Sequence, residues 1–295
     1  MRIFAIGGEG QVARSLREAA ARNDSIIFSF GVRPDVDLLR PSSIAKALAD
    51  FRPDVVVNPA AYTAVDKAES EPDQAFALNR DGARAVAAAA AAQGAPVIHL
   101  STDYVFDGKK KGAYLESDTV GPQGVYGRSK LEGELAVAAA NPKHIVLRTS
   151  WVYAPFGNNF VRTIIRLAAE RDRLRVVDDQ SGCPTYAPDI ANAIIAIARK
   201  VSGSGWQSEY AGVTHLAGPD VRTWCAFARE IIEGAAERGG RLIPVDPIST
   251  SDYPTPATRP PNSCLSTARL ESIFDIRLRP LRSSLTDCLD LLLRH

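Results

Sequence analysis

Apolar, β-branched segments alternate with alanine-rich stretches of helical character through the first half of the chain. Arg2–Ile6, Ile26–Phe30, Asp54–Asn58, Val97–Ser101 and His144–Leu147 predict strands. Val12–Arg22, Ser42–Phe51, Asp73–Ala92 and Val125–Ala139 predict the helices between them. Val55-Val56-Val57 is apolar without alternation, as a strand is when helices cover both faces of a parallel sheet. Repeated strand–helix order therefore predicts an α/β fold built on a doubly wound parallel sheet. The Ala87–Ala92 run reads as a crossover helix packed closely on that sheet, with Pro72 at its entrance, where a missing N–H costs nothing.

After about residue 150 the alternation loosens, and Pro and Gly become frequent in Gly203–Gly205, Gly239-Gly240 and Tyr253–Pro261. The expected division is 1–150 and a smaller α/β C-terminal domain, 151–295, with segments 187–199 and 213–216 returning to the first. At 295 residues and 45% hydrophobic the chain is long and apolar enough for sizeable cores, which excludes a disordered protein. Its 35 basic and 34 acidic side chains leave a net charge of +1, which argues against nucleic acid as a partner. No stretch approaches the roughly 20 apolar residues of a membrane span, and the first strand runs into glycines rather than a signal region, so a cytoplasmic protein without a membrane partner is expected. Cys183, Cys225, Cys264 and Cys288 form no CxxC pair and the four histidines are far apart, so no metal site is expected.

The first strand leads into Gly7-Gly8-Glu9-Gly10-Gln11-Val12-Ala13, a Gly-x-x-Gly-x-x-Gly pattern with alanine in the last place. Such glycines let the backbone turn tightly and approach a pyrophosphate, whose charge meets free N–H groups at the next helix N-terminus. That context predicts a Rossmann-type dinucleotide site. Asp37 and Arg33, after the second strand, leave NADH and NADPH both open, since a carboxylate suits a ribose hydroxyl and a cation a 2′-phosphate.

Tyr126-Gly127-Arg128-Ser129-Lys130 puts a phenol and an ammonium four residues apart, on one face of a helix. A free phenol ionises near 10, and an adjacent cation lowers that value. Ser101 and Thr102 end the fourth strand, where an open α/β sheet places its site. A threonine hydroxyl there can bind a substrate carbonyl while the tyrosine acts as general acid.

The glycine loop, Asn58-Pro59-Ala60-Ala61-Tyr62-Thr63, Asn79, Thr102 and Tyr126…Lys130 resemble the extended short-chain dehydrogenase/reductase superfamily. Ala64–Glu69, Ser101–Gly108, Arg148–Tyr153, Gly157–Phe160 and Tyr253–Ala257 resemble, more narrowly, its dTDP-4-dehydrorhamnose reductase family. The resemblance implies reduction of the C4 ketone of dTDP-4-dehydro-L-rhamnose by NADPH or NADH, with Tyr126 as proton donor. It implies that Lys130 holds the nicotinamide ribose and lowers the Tyr126 pKa, and that Thr102 orients the carbonyl. It places Gly7, Gly10, Gln11 and Val12 at the pyrophosphate loop, Asp37 and Leu38 at the adenosine, Ala61, Tyr62, Thr63 and Leu100 along the rest of the cofactor, and Thr102, Asp103 and Trp151 at the sugar nucleotide. Some members are dimers bridged by a metal through acidic residues of the first helix. Ser15 and Arg17 stand there instead, with Glu18 nearby, so a monomer or a homodimer without metal is expected.

In the second half, Gly157-Asn158-Asn159-Phe160 opens a helix whose N-terminus can face a diphosphate, which makes Asn159 a candidate contact. Arg259, in a proline-stiffened loop, is a second candidate. Two alternatives stand beside the reductase. A nucleotide-sugar dehydratase or epimerase shares the fold, but dehydratases follow the threonine with Asp-Glu, and here Thr102-Asp103-Tyr104 lacks the glutamate. A non-catalytic regulatory subunit of methionine adenosyltransferase type is disfavoured by the retained Thr102, Tyr126 and Lys130.

Overall fold

The computed structural model describes residues 1–293. Its main sheet has six parallel strands: β1 (Arg2–Ile6), β2 (Ile27–Gly31), β3 (Val55–Asn58), β4 (Val97–Thr102), β5 (His144–Thr149) and β6 (Gly212–His215), ordered β2-β1-β3-β4-β5-β6. The chain leaves β1 toward one edge and returns to build the other, so a crevice opens at the carboxyl ends of β1 and β3.

Helices α1 (Gln11–Ala20) and, from the second half of the chain, α6 (Ala187–Gly203) cover one face through Leu16, Ile190 and Ile194. The other face carries α2 (Pro41–Phe51), a long helix α3 over 72–92, and α4 (Val125–Ala140), through Leu48, Val86, Ala90 and Val137. Both faces of β3 and β4 are thus dry, as their unalternating sequence requires. Within α3 a π-helical turn, Ala77–Gly82, joins Pro72–Phe76 to Ala83–Ala92, and π turns of this kind are frequent at functional sites. The turn holds the buried Asn79.

A second core lies beside the sheet's carboxyl edge, between α5 (Phe160–Glu170), α7 (Trp224–Ala236) and α9 (Leu281–Leu293), with Ile164, Phe227, Ile231 and Leu289 inside it. Short strands complete it: Leu174–Val177 beside Val245–Ile248, and Ser181–Gly182 between Arg222–Thr223 and Asn262–Ser263. The remaining helix, α8 (Ala268–Phe274), packs on β6 and α6.

Observed strands lie within a residue or two of the pattern's limits. Two of the small extensions are informative: β4 and β5 run on through Thr102 and Thr149, pairing Ser101 with Arg148 and Thr102 with Thr149. Those polar residues end the apolar run in sequence yet stay in the ladder, because Glu134 of α4 takes a bidentate bond from Arg148 (2.9 and 2.6 Å) and another from Ser101. Among the described residues no helix is long and apolar enough to cross a membrane.

Candidate active site

The glycine loop turns at Gly7 (φ +91°), whose N–H donates to Gly31 O of β2 at 2.7 Å, and a side-chain carbon there would touch Ala60. Gly10 caps α1 in extended conformation, and the space a side chain would occupy is open. The helix N-terminus thus presents bare N–H groups to a cavity of about 510 Å³, with no acidic residue in its first turn. This cradle fits a dinucleotide pyrophosphate. Gly10, Gln11, Val12, Ala61, Thr63, Leu100, Thr102, Asp103, Tyr126, Lys130 and Trp151 all line the same cavity, so one crevice gathers eleven of the sequence-predicted residues.

The others lie elsewhere. Gly7 shapes the loop from behind. Tyr62 is buried, its N–H and C=O both bonded to the Asn79 carboxamide (2.8 and 3.1 Å) and its hydroxyl to Glu71 at 2.6 Å, so it fixes the loop after β3. Leu38 packs against Gly82 of α3, and the Asp37 carboxylate accepts from Leu39 N and pairs with Arg40, closing a turn. Asn159 caps α5 through Arg162 N (3.2 Å) and donates to Gln11 Oε1 (3.0 Å), tying α5 to the glycine loop. Arg259 pairs with Asp66 at 2.7 Å, donates to the Tyr104 hydroxyl at 3.1 Å, and lines an adjoining cavity of about 610 Å³. Tyr104 lines both cavities and is their shared wall.

Tyr126 and Lys130 lie one turn apart at the start of α4. Two glycines bring that helix close: a side-chain carbon on Gly127 would lie 2.2 Å from Tyr104 O, and one on Gly133 would lie 2.0 Å from Asn79 O. Ser129 adds a bond from Asn79 Nδ2 at 2.9 Å. The Tyr126 hydroxyl neighbours Thr102 in the same cavity, and the Thr102 hydroxyl donates to Asp103 Oδ1 at 3.1 Å. Burial pushes the Tyr126 pKa up. Burial likewise pushes Asp103 up to about 6, opposed by the bond from Thr102, and its Oδ2 has no partner. Lys130, 2% exposed, donates to Leu100 O at 2.6 Å and is pushed down to about 8 by burial, against the pull of Glu134. The lowering of the Tyr126 pKa expected from a neighbouring ammonium is therefore absent here: desolvation dominates, and the ammonium turns toward the end of β4.

Trp151 follows β5 in left-handed conformation (φ +47°), a strained geometry for a bulky residue. Its indole stacks on Trp224 with centroids 3.4 Å apart and fills the space beside Gly182, where a side-chain carbon would lie 2.3 Å from Trp151 Cε2. Trp224, Tyr104, Ser263 and His99 belong to the site's surroundings and were not legible in the pattern. Only His99 carried a signal, a polar ring inside an otherwise apolar strand.

Residues 1–294 match the family model described as RmlD substrate binding domain. A dTDP-4-dehydrorhamnose reductase from Sinorhizobium fredii (strain NGR234) is 53% identical over 278 residues, covering 94% of this chain and 93% of that protein. The chain belongs to the dTDP-4-dehydrorhamnose reductase family. Its Escherichia coli K12 relative is 41% identical over 94% of this chain and 93% of that protein. The Clostridium acetobutylicum reductase superposes with a TM-score of 0.90 at 38% identity, covering 99% of each chain. That of Bacillus anthracis, solved in complex with NADP, gives 0.88 at 33%, covering 97% of each. Like them, this member is an NAD(P)H-dependent oxidoreductase of Rossmann fold.

Proposed function

We propose that this reductase converts the C4 ketone of dTDP-4-dehydro-L-rhamnose to the alcohol, giving dTDP-L-rhamnose, the last step of that sugar nucleotide's synthesis. The observation that carries the reading is one crevice holding both a proton donor, Tyr126 beside Thr102, and an open helix-N-terminal cradle. Bound reduced nicotinamide supplies the hydride that reduces the carbonyl carbon. Gly10, Gln11 and Val12 hold its pyrophosphate, Ala61, Thr63 and Leu100 wall its other half, and Lys130 binds its ribose.

Thr102 orients the carbonyl oxygen, and Tyr126 gives its proton to the alkoxide that develops there. A phenol pushed up by burial stays protonated through neutral pH, which suits a donor. Asp103 and Trp151 contact the sugar, and Tyr104 with Arg259 leads on to the adjoining cavity, large enough for the nucleotide. Tyr104 stands where a dehydratase would carry its glutamate, so elimination has no base at that position. The cofactor preferred is NADPH. Strand β2 ends at Gly31 and is followed by Val32, neither a carboxylate, and the Arg17 guanidinium lies over Phe30 (5.0 Å) and 2.8 Å from where a Gly8 side-chain carbon would sit. A cation between glycine loop and β2 suits a 2′-phosphate. The enzyme acts in the cytoplasm, as monomer or homodimer.

Mixing the protein with dTDP-4-dehydrorhamnose and each reduced nicotinamide tests this by absorbance loss and product identity. No cofactor oxidation with either would refute it. Tyr126→Phe is expected to lose at least about 10²-fold in kcat while cofactor affinity, read by calorimetry, holds.

A further inference from the structure

One polar ring lies inside the otherwise apolar strand β4. His99 is 1% exposed, and its two nitrogens face different partners: Nε2 lies 3.5 Å from Lys130 Nζ, and Nδ1 lies 3.1 Å from Asn58 Nδ2 on β3, the residue paired with it in register. An ammonium has only donors, so the ring nitrogen beside it must offer a lone pair. Nε2 is therefore bare and the ring proton sits on Nδ1, which needs an acceptor. The Asn58 side chain is 1% exposed and its Oδ1 has no other partner. A half-turn of that carboxamide leaves its outline unchanged and brings this oxygen to Nδ1–H.

Buried polar groups left unpaired are costly, and this arrangement serves the ring, the carboxamide oxygen and the ammonium at once. It also accounts for Lys130. One N–H goes to Leu100 O, a second to His99, and the third remains for the cavity that Lys130 lines. Among the described residues Glu134, on the same helix, also acts on the ammonium, and it is bound by Arg148 of β5.

We propose that His99 is a positioning residue for the reaction: a neutral imidazole, its tautomer set by Asn58, that keeps Lys130 charged and aims its remaining N–H at the cofactor. The proposal rests on the role given to Lys130 above. Burial already favours the neutral forms of both His99 and Lys130, so removing a lone pair from beside the ammonium makes its proton easier to lose.

Two measurements test it. First, the nitrogen-15 spectrum of histidine-labelled wild type, assigned through H99Q, reports the tautomer directly. A neutral ring protonated on Nδ1 from about pH 5 to 9 is expected, against the value near 6.5 of a free imidazole. A ring protonated on Nε2, or one that charges near 6.5, overturns the proposal. Second, the pH profile of kcat is compared for wild type, His99→Leu and His99→Gln. Leucine removes the acceptor, so the alkaline limb is expected about one unit lower, with roughly tenfold less turnover on that limb. Glutamine restores an acceptor and moves the limb back most of the way.

Superimposed wild-type and H99L profiles overturn the proposal, as does an H99Q profile displaced as far as that of H99L. Lys130→Met separates the two levels: wild-type turnover in that variant sinks the role of Lys130 itself, whereas a dead K130M with an undisplaced H99L profile sinks only that of His99. If H99L does not fold, the wild-type tautomer still decides.

Discussion

Gly127 sits between the two residues of the Tyr126–Lys130 pair and has ordinary helical backbone, so nothing in its conformation demands glycine. Space does. Alanine would place Cβ 2.2 Å from Tyr104 O and 3.0 Å from Pro122 Cβ, against a carbon–oxygen contact of about 3.3 Å. The backbone carbonyl cannot swing aside like a side-chain tip, so α4 and the Thr102–Tyr104 segment must separate by roughly 1 Å. Overpacking of that size costs about 1–3 kcal/mol, and alanine's better helix propensity returns about 1 kcal/mol, leaving a net loss of about 0–2 kcal/mol. Catalysis is the more sensitive quantity: the same shift draws Tyr126 away from Thr102, and a misplacement of about 1 Å costs on the order of 10²-fold in rate. G127A is thus expected to keep its fold, with Tm lowered by a few degrees at most, while kcat falls about 10²-fold. Thermal unfolding and steady-state reduction measure both. A kcat within threefold of wild type, with Tm unchanged or raised, would refute the close-packing argument.

Glu134→Gln leaves Arg148 charged and buried without its partner, a loss of about 3–5 kcal/mol, and the double variant E134Q/R148M should recover much of it; urea unfolding of the three proteins checks this, and an E134Q loss under about 1 kcal/mol contradicts it. Asp103, pushed up to about 6, binds its proton more tightly folded than unfolded, where carboxyls titrate near 3.9. Its contribution therefore falls as pH rises from about 4 to 6, and Asp103→Asn should be more stable than wild type at pH 7 by up to about 3 kcal/mol, with the gap closing at pH 4. Denaturant midpoints at the two values decide, and a gap independent of pH removes the assignment. Arg17→Ala should lower kcat/KM for NADPH about tenfold and leave that for NADH nearly unchanged; equal losses would place Arg17 outside the 2′-phosphate site.

The order of strands and helices, the glycine loop and the Tyr126–Lys130 pair were all legible in the sequence, because each is a local pattern. Apolar runs, a turn of glycines and a four-residue spacing follow from strand and helix geometry within a few residues. Which residues meet across the molecule was another matter. Asn159 reads as a ligand contact and is a helix cap reaching Gln11, 148 residues away. Arg259 lines the adjoining cavity while anchored to Asp66, 193 residues away, and the Asp37 carboxylate accepts from Leu39 N and pairs with Arg40. Nothing along the chain marks Trp224 as the partner of Trp151, or Glu134 as the buried anion that lets polar Ser101 and Arg148 stay within the ladder. Periodicity sets which face of an element is apolar, whereas a buried polar group is decided by whatever packing brings within about 3 Å of it, and that depends on the folded chain as a whole.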